Sequence, residues 1–302
     1  MNADDPSAAA SYVGLSVRDA IARLTRALKA AGLEEPQRDA RLLVLGALGL
    51  TGIDLLRTPE RPVDAAGAAR LAAFAQRRGA HEPVARILGE RGFYGRVFSV
   101  TPATLDPRPC TETVIEAVLE VAREEGWLAP PVRLLDVGTG SGALLVTLLA
   151  EMEGASGVGT DISAAALDAA QANALRLGVS DRATFLIRSG LDDVAGPFDV
   201  LVSNPPYIPS GEIAGLAPDV RLFDPLSALD GGADGLRFYR MFAAEAARVV
   251  PRGWIFLEVG AGQAEAVLDL FRAGLSPPAQ TRVWYDLGGH ARCVAVKTQN
   301  YP

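Results

Sequence analysis

The sequence predicts an α/β fold: a doubly wound, mostly parallel sheet of seven strands closing on an antiparallel hairpin, preceded by a small helical domain. Three observations predict it. From about residue 113 onward, short apolar runs alternate with Ala/Leu-rich helical stretches, the pattern of parallel strands covered on both faces. The last two runs, TRVWYD and CVAVK, are joined only by Leu287 to Arg292, too short for a crossover helix, so they pair antiparallel. Before residue 86 the apolar residues recur at helical spacing instead.

Taken in order, MNADDPSAAAS reads as a frayed tail. Val17, Ile21, Leu24 and Leu28, then Leu42, Leu43, Leu45 and Leu48, mark helices. Ser16 followed by Asp19 resembles a capping box, and Gly32, Gly49 and Pro62 punctuate the segment. Residues 1–85 are therefore expected as a small helical domain. Gly89, Gly92 and Gly95 break short runs rich in Phe, Tyr and Val, which makes residues 86–112 a hairpin-like linker. Residues 113–302 carry the strands VRLLDV, SGVGTD, ATFLI, FDVLVSN, WIFLEV, TRVWYD and CVAVK. Seven strands with a C-terminal antiparallel hairpin differ from a plain dinucleotide fold and match the class I methyltransferase variant.

A chain of 302 residues with 49% hydrophobic content supports a large core and excludes a disordered or fibrous protein. Its net charge of −7 gives no overall drive toward nucleic acid or an anionic membrane, so neither is expected as a partner. No run approaches a membrane span and no signal segment opens the chain, so the expected location is the cytoplasm and the expected state a monomer. Cys110, Cys293, His81 and His290 are too scattered for a metal site, and none is expected.

LLDVGTGSGAL (Leu134 to Leu144) runs from a strand through Gly138, Gly140 and Gly142 into a helix. Such a loop lets a ligand approach the backbone closely. The common alternative is a dinucleotide, but its fingerprint is G-x-G-x-x-G, and Asp136 at the strand end would oppose a pyrophosphate. An acidic group there suits a cationic ligand such as the amino-acid end of S-adenosylmethionine. Asp161, ending the second strand beside Ile162, is placed to accept from ribose hydroxyls, or to cap the helix beginning near Ser163; both roles can coexist.

SNPPYIPS (Ser203 to Ser210) ends the fourth strand, which lies beside the first in this topology, and so brings Asn204 next to the glycine loop. The Asn204 side-chain carbonyl and the Pro205 backbone carbonyl can accept both hydrogens of one planar NH₂ group. Held this way, an amide nitrogen is aimed at an electrophilic methyl and developing positive charge on it is stabilised. Pro205 and Pro206 remove slack, and Tyr207 offers an aromatic face to the acceptor.

The Asn-Pro-Pro-Tyr of residues 204–207 resembles the active-site motif of class I amino-group methyltransferases. PATLDPRPCTETVIE (Pro102 to Glu116) is similar to the P-R-P-D-T-E segment of the HemK/PrmC family, which methylates N5 of the glutamine in the GGQ loop of peptide-chain release factors. DVRLFDPLSALDGGADGLRFYR and EPQRDARLLV are similar to that family's post-motif segment and helical N-terminal domain, which implies that residues 1–85 help dock the release factor. The resemblance implies that Asn204, Pro205, Pro206 and Tyr207 hold a release-factor glutamine and that Arg108, Pro109, Thr111 and Glu112 shape the mouth of the site. It implies that Asp136, Gly138, Thr139, Gly140, Ser141, Gly142, Asp161, Ile162, Leu191 and Asn204 surround S-adenosylmethionine. Arg108 and Glu112 can also be read as a plain linker ion pair. Cys110 stands where the family usually has Asp, and Asp106 where an apolar residue is usual. Gly190 replaces a common acidic residue, a contact that Asp192 or Asp193 could restore. The same clamp suits a ribosomal-protein glutamine or a nucleic-acid amino group. A degenerate cofactor-binding scaffold and an NAD-dependent oxidoreductase are the rivals from other classes.

Overall fold

In the computed structural model of the protein, residues 10–129, 131–274 and 280–298 are described, so residues 1–9 of the expected tail lie outside them. The chain divides into two compact units, residues 1–89 with 217–223, and residues 90–216 with 224–302. The glycine-rich segment expected as a linker thus falls almost wholly within the second unit.

Five helices span described residues in the N-terminal part of the first unit: α1 (Val17–Ala30), α2 (Pro36–Leu48), α3 (Gly52–Arg57), α4 (Ala65–Gly79) and α5 (Val84–Leu88). Ser16 caps α1, its Oγ accepting from the Asp19 N–H at 3.0 Å and donating to the Asp19 carboxylate at 2.8 Å. Val17, Ala20, Leu24 and Leu28 fall on one face of α1 and pack on Leu43, Val44 and Leu71. Leu42 was expected in that stripe but points outward, because one step of 100° along α2 separates it from the buried Leu43. Arg78 on α4 pairs with the buried Asp39 on α2 at 2.7 Å.

The second unit opens with a hairpin, β1 (Glu90–Phe93) and β2 (Arg96–Ser99), closed by an edge-on contact of Phe93 with Phe98. After a short turn at Pro109–Thr111, helix α6 (Glu112–Glu124) leads into β3 (Val132–Val137). Then α7 (Ala143–Glu151), β4 (Ala155–Asp161), α8 (Ala164–Arg176) and β5 (Ala183–Ile187) alternate. They are followed by β6 (Val200–Ser203), α9 (Pro218–Phe223, part of the first unit), α10 (Arg237–Val249), β7 (Gly253–Glu258), α11 (Ala264–Gly274), β8 (Thr281–Tyr285) and β9 (Ala291–Thr298).

The seven large-sheet strands run in the order β5-β4-β3-β6-β7-β9-β8, with β9 antiparallel to both its neighbours, as the short final connection requires. Apolar clusters cover both faces of the sheet, one centred on α6 and α7, the other on α10 and α11. The chain leaves β3 to one side for β4 and β5 and returns on the other side with β6. The carboxyl ends of β3 and β6 therefore flank the switch in strand order, where doubly wound sheets hold ligands.

Candidate active site

The glycine loop after β3 is shaped by left-handed backbone at Gly138, Gly140 and Gly142, with φ of 72°, 56° and 80°. Its N–H groups are largely committed within the protein. Gly138 and Thr139 both donate to the Thr160 carbonyl at 2.8 Å, Gly140 donates to the Asp161 carboxylate at 3.0 Å, and Gly142 to the Thr139 carbonyl at 2.8 Å. A loop with its amides so engaged is a poor cradle for a pyrophosphate, which argues against the dinucleotide alternative.

Asp136 closes the inner end of this loop. Its Oδ2 accepts from the Thr139 hydroxyl at 2.6 Å and from the Leu145 N–H at 3.3 Å, while Oδ1 is buried with no partner among the described residues. Burial pushes the carboxyl up to about 7, the nearby Asp161 adding to the rise and the Thr139 and Leu145 hydrogen bonds opposing it. At the carboxyl end of β4, Asp161 also accepts from the Ser163 N–H at 2.9 Å, and Ser163 itself caps α8. The loop-bracing and helix-start roles of Asp161 thus coexist with its place on the cleft.

That cleft encloses about 1080 Å³ of empty space, part of it open to solvent. Its walls include Asp136, Gly138, Thr139, Gly140, Ser141, Asp161, Ile162, Thr111, Asn204, Pro205 and Pro206. Pro107, Arg188, Gly190, Phe238 and Phe242 complete them. Among the expected residues, Gly142, Leu191, Tyr207, Arg108, Pro109 and Glu112 do not line it.

Each of these has its own place. Leu191 is fully buried in the apolar cluster with Phe198 and Tyr239. The Tyr207 ring lies against Gly260 and the same cluster, and the Tyr207 carbonyl accepts from Gln263 Nε2 at 2.9 Å. Arg108 and Glu112 do not pair with each other. Arg108 binds the buried Asp224 at 2.5 Å, and Glu112 accepts from the Tyr94 N–H at 2.7 Å, holding the hairpin. Asp106, at a position usually apolar, pairs with Arg91 of β1 at 3.6 Å.

Gly190 has φ of 56°, and a Cβ there would sit 2.4 Å from the Met241 sulfur, so a side chain at this position requires both strained backbone and a displaced methionine. Asp192 and Asp193 are exposed and off the cleft wall, so neither replaces an acidic side chain at Gly190.

Asn204 follows Ser203, whose hydroxyl donates to the Val137 carbonyl at 2.7 Å and so ties the end of β6 to the start of the glycine loop. The Asn204 Nδ2 donates to Thr111 Oγ1 at 3.2 Å. Its Oδ1 and the Pro205 carbonyl accept no hydrogen bond from another described residue. After the motif, Ile208 exchanges backbone hydrogen bonds with Leu229 and Gly231 at 3.0 and 2.8 Å. Gly235 permits this close approach, since a Cβ there would sit 2.3 Å from the Tyr207 carbonyl. The post-motif segment thus backs the Asn-Pro-Pro-Tyr turn.

One buried group escaped the sequence reading. Glu258, the last residue of β7, is fully buried beneath the motif, and burial pushes it up to about 7 against the opposing pull of Thr111 and Arg292. Cys110 Sγ donates to Glu258 Oε1 at 3.8 Å, and burial with the Glu258 charge pushes the thiol up, away from a nucleophilic thiolate. The signal in the sequence was an acidic residue inside the otherwise apolar run WIFLEV. Among the described residues no cluster of His, Cys, Asp and Glu could hold a metal ion, and no helix is long and apolar enough to cross a membrane.

Residues 19–89 match the family described as PrmC N-terminal domain, and residues 117–216 the family described as Methyltransferase small domain. The release factor glutamine methyltransferase of Bradyrhizobium diazoefficiens is 46% identical over 297 residues, covering 97% of this chain and 98% of that one. The protein of the same description from Rhodospirillum rubrum is 47% identical over 271 residues, covering 89% and 81%. Among solved structures, the hMettl16 catalytic domain in complex with MAT2A 3'UTR hairpin 6 superposes with a TM-score of 0.52 at 14% identity over 78% of this chain and 82% of that one, a likeness of fold alone. The sheet order is that of class I methyltransferases. Such identity along almost the whole of both chains, on this fold, places the chain in the family of release factor glutamine methyltransferases.

Proposed function

We propose that the protein transfers a methyl group from S-adenosylmethionine to N5 of the glutamine in the GGQ motif of peptide-chain release factors. The observation that carries this reading is the Asn204–Pro205 pair: two acceptor oxygens, unclaimed by other described residues, on the wall of a cleft that also holds a buried carboxylate. The relatives' names support the release factor as the substrate.

The residues fit the cofactor. Asp136 has a buried oxygen without a partner among the described residues, which a ligand ammonium would satisfy, and Asp161 faces the same cleft with lone pairs to accept from ribose hydroxyls. Once bound, S-adenosylmethionine supplies a methyl group already activated by its sulfonium. The protein has no need to create a nucleophile by deprotonation beforehand. Asn204 Oδ1 and the Pro205 carbonyl accept hydrogen bonds from the two hydrogens of the glutamine amide, fix the direction of its nitrogen, and offset the positive charge growing on it, and one amide proton leaves after the methyl has been transferred. The stiff Pro205-Pro206 pair holds the two acceptors in register, while Tyr207 and Gln263 anchor the turn from behind.

The test is incubation of the purified protein with labelled S-adenosylmethionine and release factor, either wild type or with the GGQ glutamine changed to alanine. Label is expected on the wild-type factor only. Label persisting on the alanine variant would reject the target, and label appearing on added RNA or ribosomal protein instead would move the activity to that acceptor.

A further inference from the structure

The carboxyl ends of four strands form a row across the sheet, in the order β6, β3, β4, β5. Asn204 follows β6, Asp136 lies near the end of β3, Asp161 ends β4, and Arg188 follows β5, its backbone N–H donating to the Asp161 carbonyl at 3.0 Å. All four line the same cleft. Neighbouring strands lie about 4.8 Å apart, so the row from Asn204 to Arg188 spans roughly 14 Å, long enough for a nucleoside carrying an amino-acid tail. With the acceptor amide at Asn204 and ribose hydroxyls at Asp161, the base falls at the next strand end, β5.

The wall there is made by Ile162, Arg188, Gly190, Phe238 and Phe242. Ile162 and the two phenylalanines offer apolar surface, and Gly190 cannot carry a side chain without displacing Met241. Among the described residues lining the cleft, Asp136 and Asp161 are acidic and Arg188 is the single cation. Arg188 is half-buried and forms no ion pair with another described residue. Of the five N–H groups on its guanidinium, one is accepted within the described residues, from Nη1 to the Ile187 carbonyl at 2.7 Å. Its Nε is buried with no acceptor among the described residues. Donors left unpaired away from water are costly, and an acceptor on a ligand removes that cost.

A purine supplies such acceptors. Adenine accepts at its ring nitrogens N1, N3 and N7, whereas its amino group at C6 donates. A carboxylate on this wall would read the amino group; a guanidinium reads a ring nitrogen instead. We propose that Arg188 is the base-recognition residue of the cofactor site, its guanidinium donating to a ring nitrogen of adenine. This inference rests on the reading of the cleft as a site for S-adenosylmethionine.

The test is calorimetry on the full-length protein with S-adenosylhomocysteine, with the base-free S-ribosylhomocysteine, and with the 1-deaza, 3-deaza and 7-deaza forms of S-adenosylhomocysteine, in each of which one ring nitrogen becomes C–H. Arg188→Met keeps much of the apolar stem and removes the donors. It is expected to weaken S-adenosylhomocysteine by about ten- to a hundredfold, the range of a hydrogen bond to a charged group, and to leave S-ribosylhomocysteine within about twofold. In the wild type, one deaza form should bind about tenfold more weakly than the parent, and Arg188→Met should abolish that difference. Arg188→Lys keeps the charge without the planar fork and should fall between the two, and it carries the same comparison should Arg188→Met bind too weakly to measure. Where the base-free ligand is too weak to measure, the deaza comparison decides alone. Unchanged affinity for S-adenosylhomocysteine in Arg188→Met overturns the proposal. So does an equal loss for the base-free ligand, or a deaza penalty that survives the substitution. A wild-type protein that binds no S-adenosylhomocysteine would instead defeat the cofactor reading itself, whereas normal wild-type binding beside an indifferent Arg188→Met defeats the base contact alone.

Discussion

At the scale of single residues, the site is organised by carboxylates placed where water does not reach. Asp136 is held up at about 7 by burial, so near neutrality it is poised to ionise when a cation arrives. Cofactor affinity in the wild-type protein should therefore rise as pH increases from about 5.5 to 7.5, with a proton released on binding. Asp136→Asn should bind about ten- to a hundredfold more weakly, the worth of a charge-assisted contact, and show a flatter pH profile. Calorimetry in buffers of different ionisation heat checks both, and a pH-independent wild-type affinity would contradict the role given to Asp136. The place of Asp136, Asp161 and Asn204 on the cleft wall was legible in the sequence because each lies at the carboxyl end of a recognisable strand. Glu258 also ends a strand but was missed. Its contact with Cys110 spans nearly 150 residues of sequence, and no local pattern brings the two together.

At the scale of elements, the glycine loop is steadied from behind by a helix as well as by the sheet. Asn173 on α8 is fully buried, and its Nδ2 donates to the Ser141 carbonyl at 2.9 Å and to the Ser99 carbonyl at 3.0 Å. Its Oδ1 accepts from the Ser99 N–H at 2.8 Å, so one side chain joins β2 to the loop. Asn173→Ala should cost about 2–4 kcal/mol, since it removes four hydrogen bonds, one of them from Arg176, and leaves the buried Ser141 carbonyl without this donor. Chemical denaturation measures this, and an unchanged midpoint would show that the brace is dispensable. Strands and helices were readable from apolar period, and the final hairpin from the length of its connection. The brace was not, because a polar residue inside a helical pattern looks like surface until its partners, 74 residues away in β2 and 32 away in the loop, are known. Leu191 and Tyr207 show the converse. The family resemblance implied ligand contact for both, and both pack with the apolar cluster of α10 and α11.

At the scale of the whole molecule, two buried carboxyls with raised values give the fold a characteristic response to pH. Asp136 and Glu258 both stand at about 7 when folded, above the usual carboxylate range near 4 when unfolded. Their contribution to stability is therefore fully present below about pH 4 and declines as pH rises toward 7, because the unfolded chain ionises them more readily. The surface carboxylates lowered by ion pairs or hydrogen bonds, such as Asp234 and Glu124, have already made their contribution above about pH 5. Between about pH 5 and 8 the melting temperature of the ligand-free protein should fall, by roughly 5 °C, and Asp136→Asn and Glu258→Gln should each flatten the slope. Differential scanning calorimetry reads this directly, and a melting temperature that climbs across this window would refute it. The closed circuit of amides in the glycine loop bears on inhibitor design. With Gly138, Thr139, Gly140 and Gly142 engaged and two carboxylates on the wall, a phosphate- or sulfonate-bearing compound finds repulsion there, whereas a compact primary amine finds a ready counter-charge.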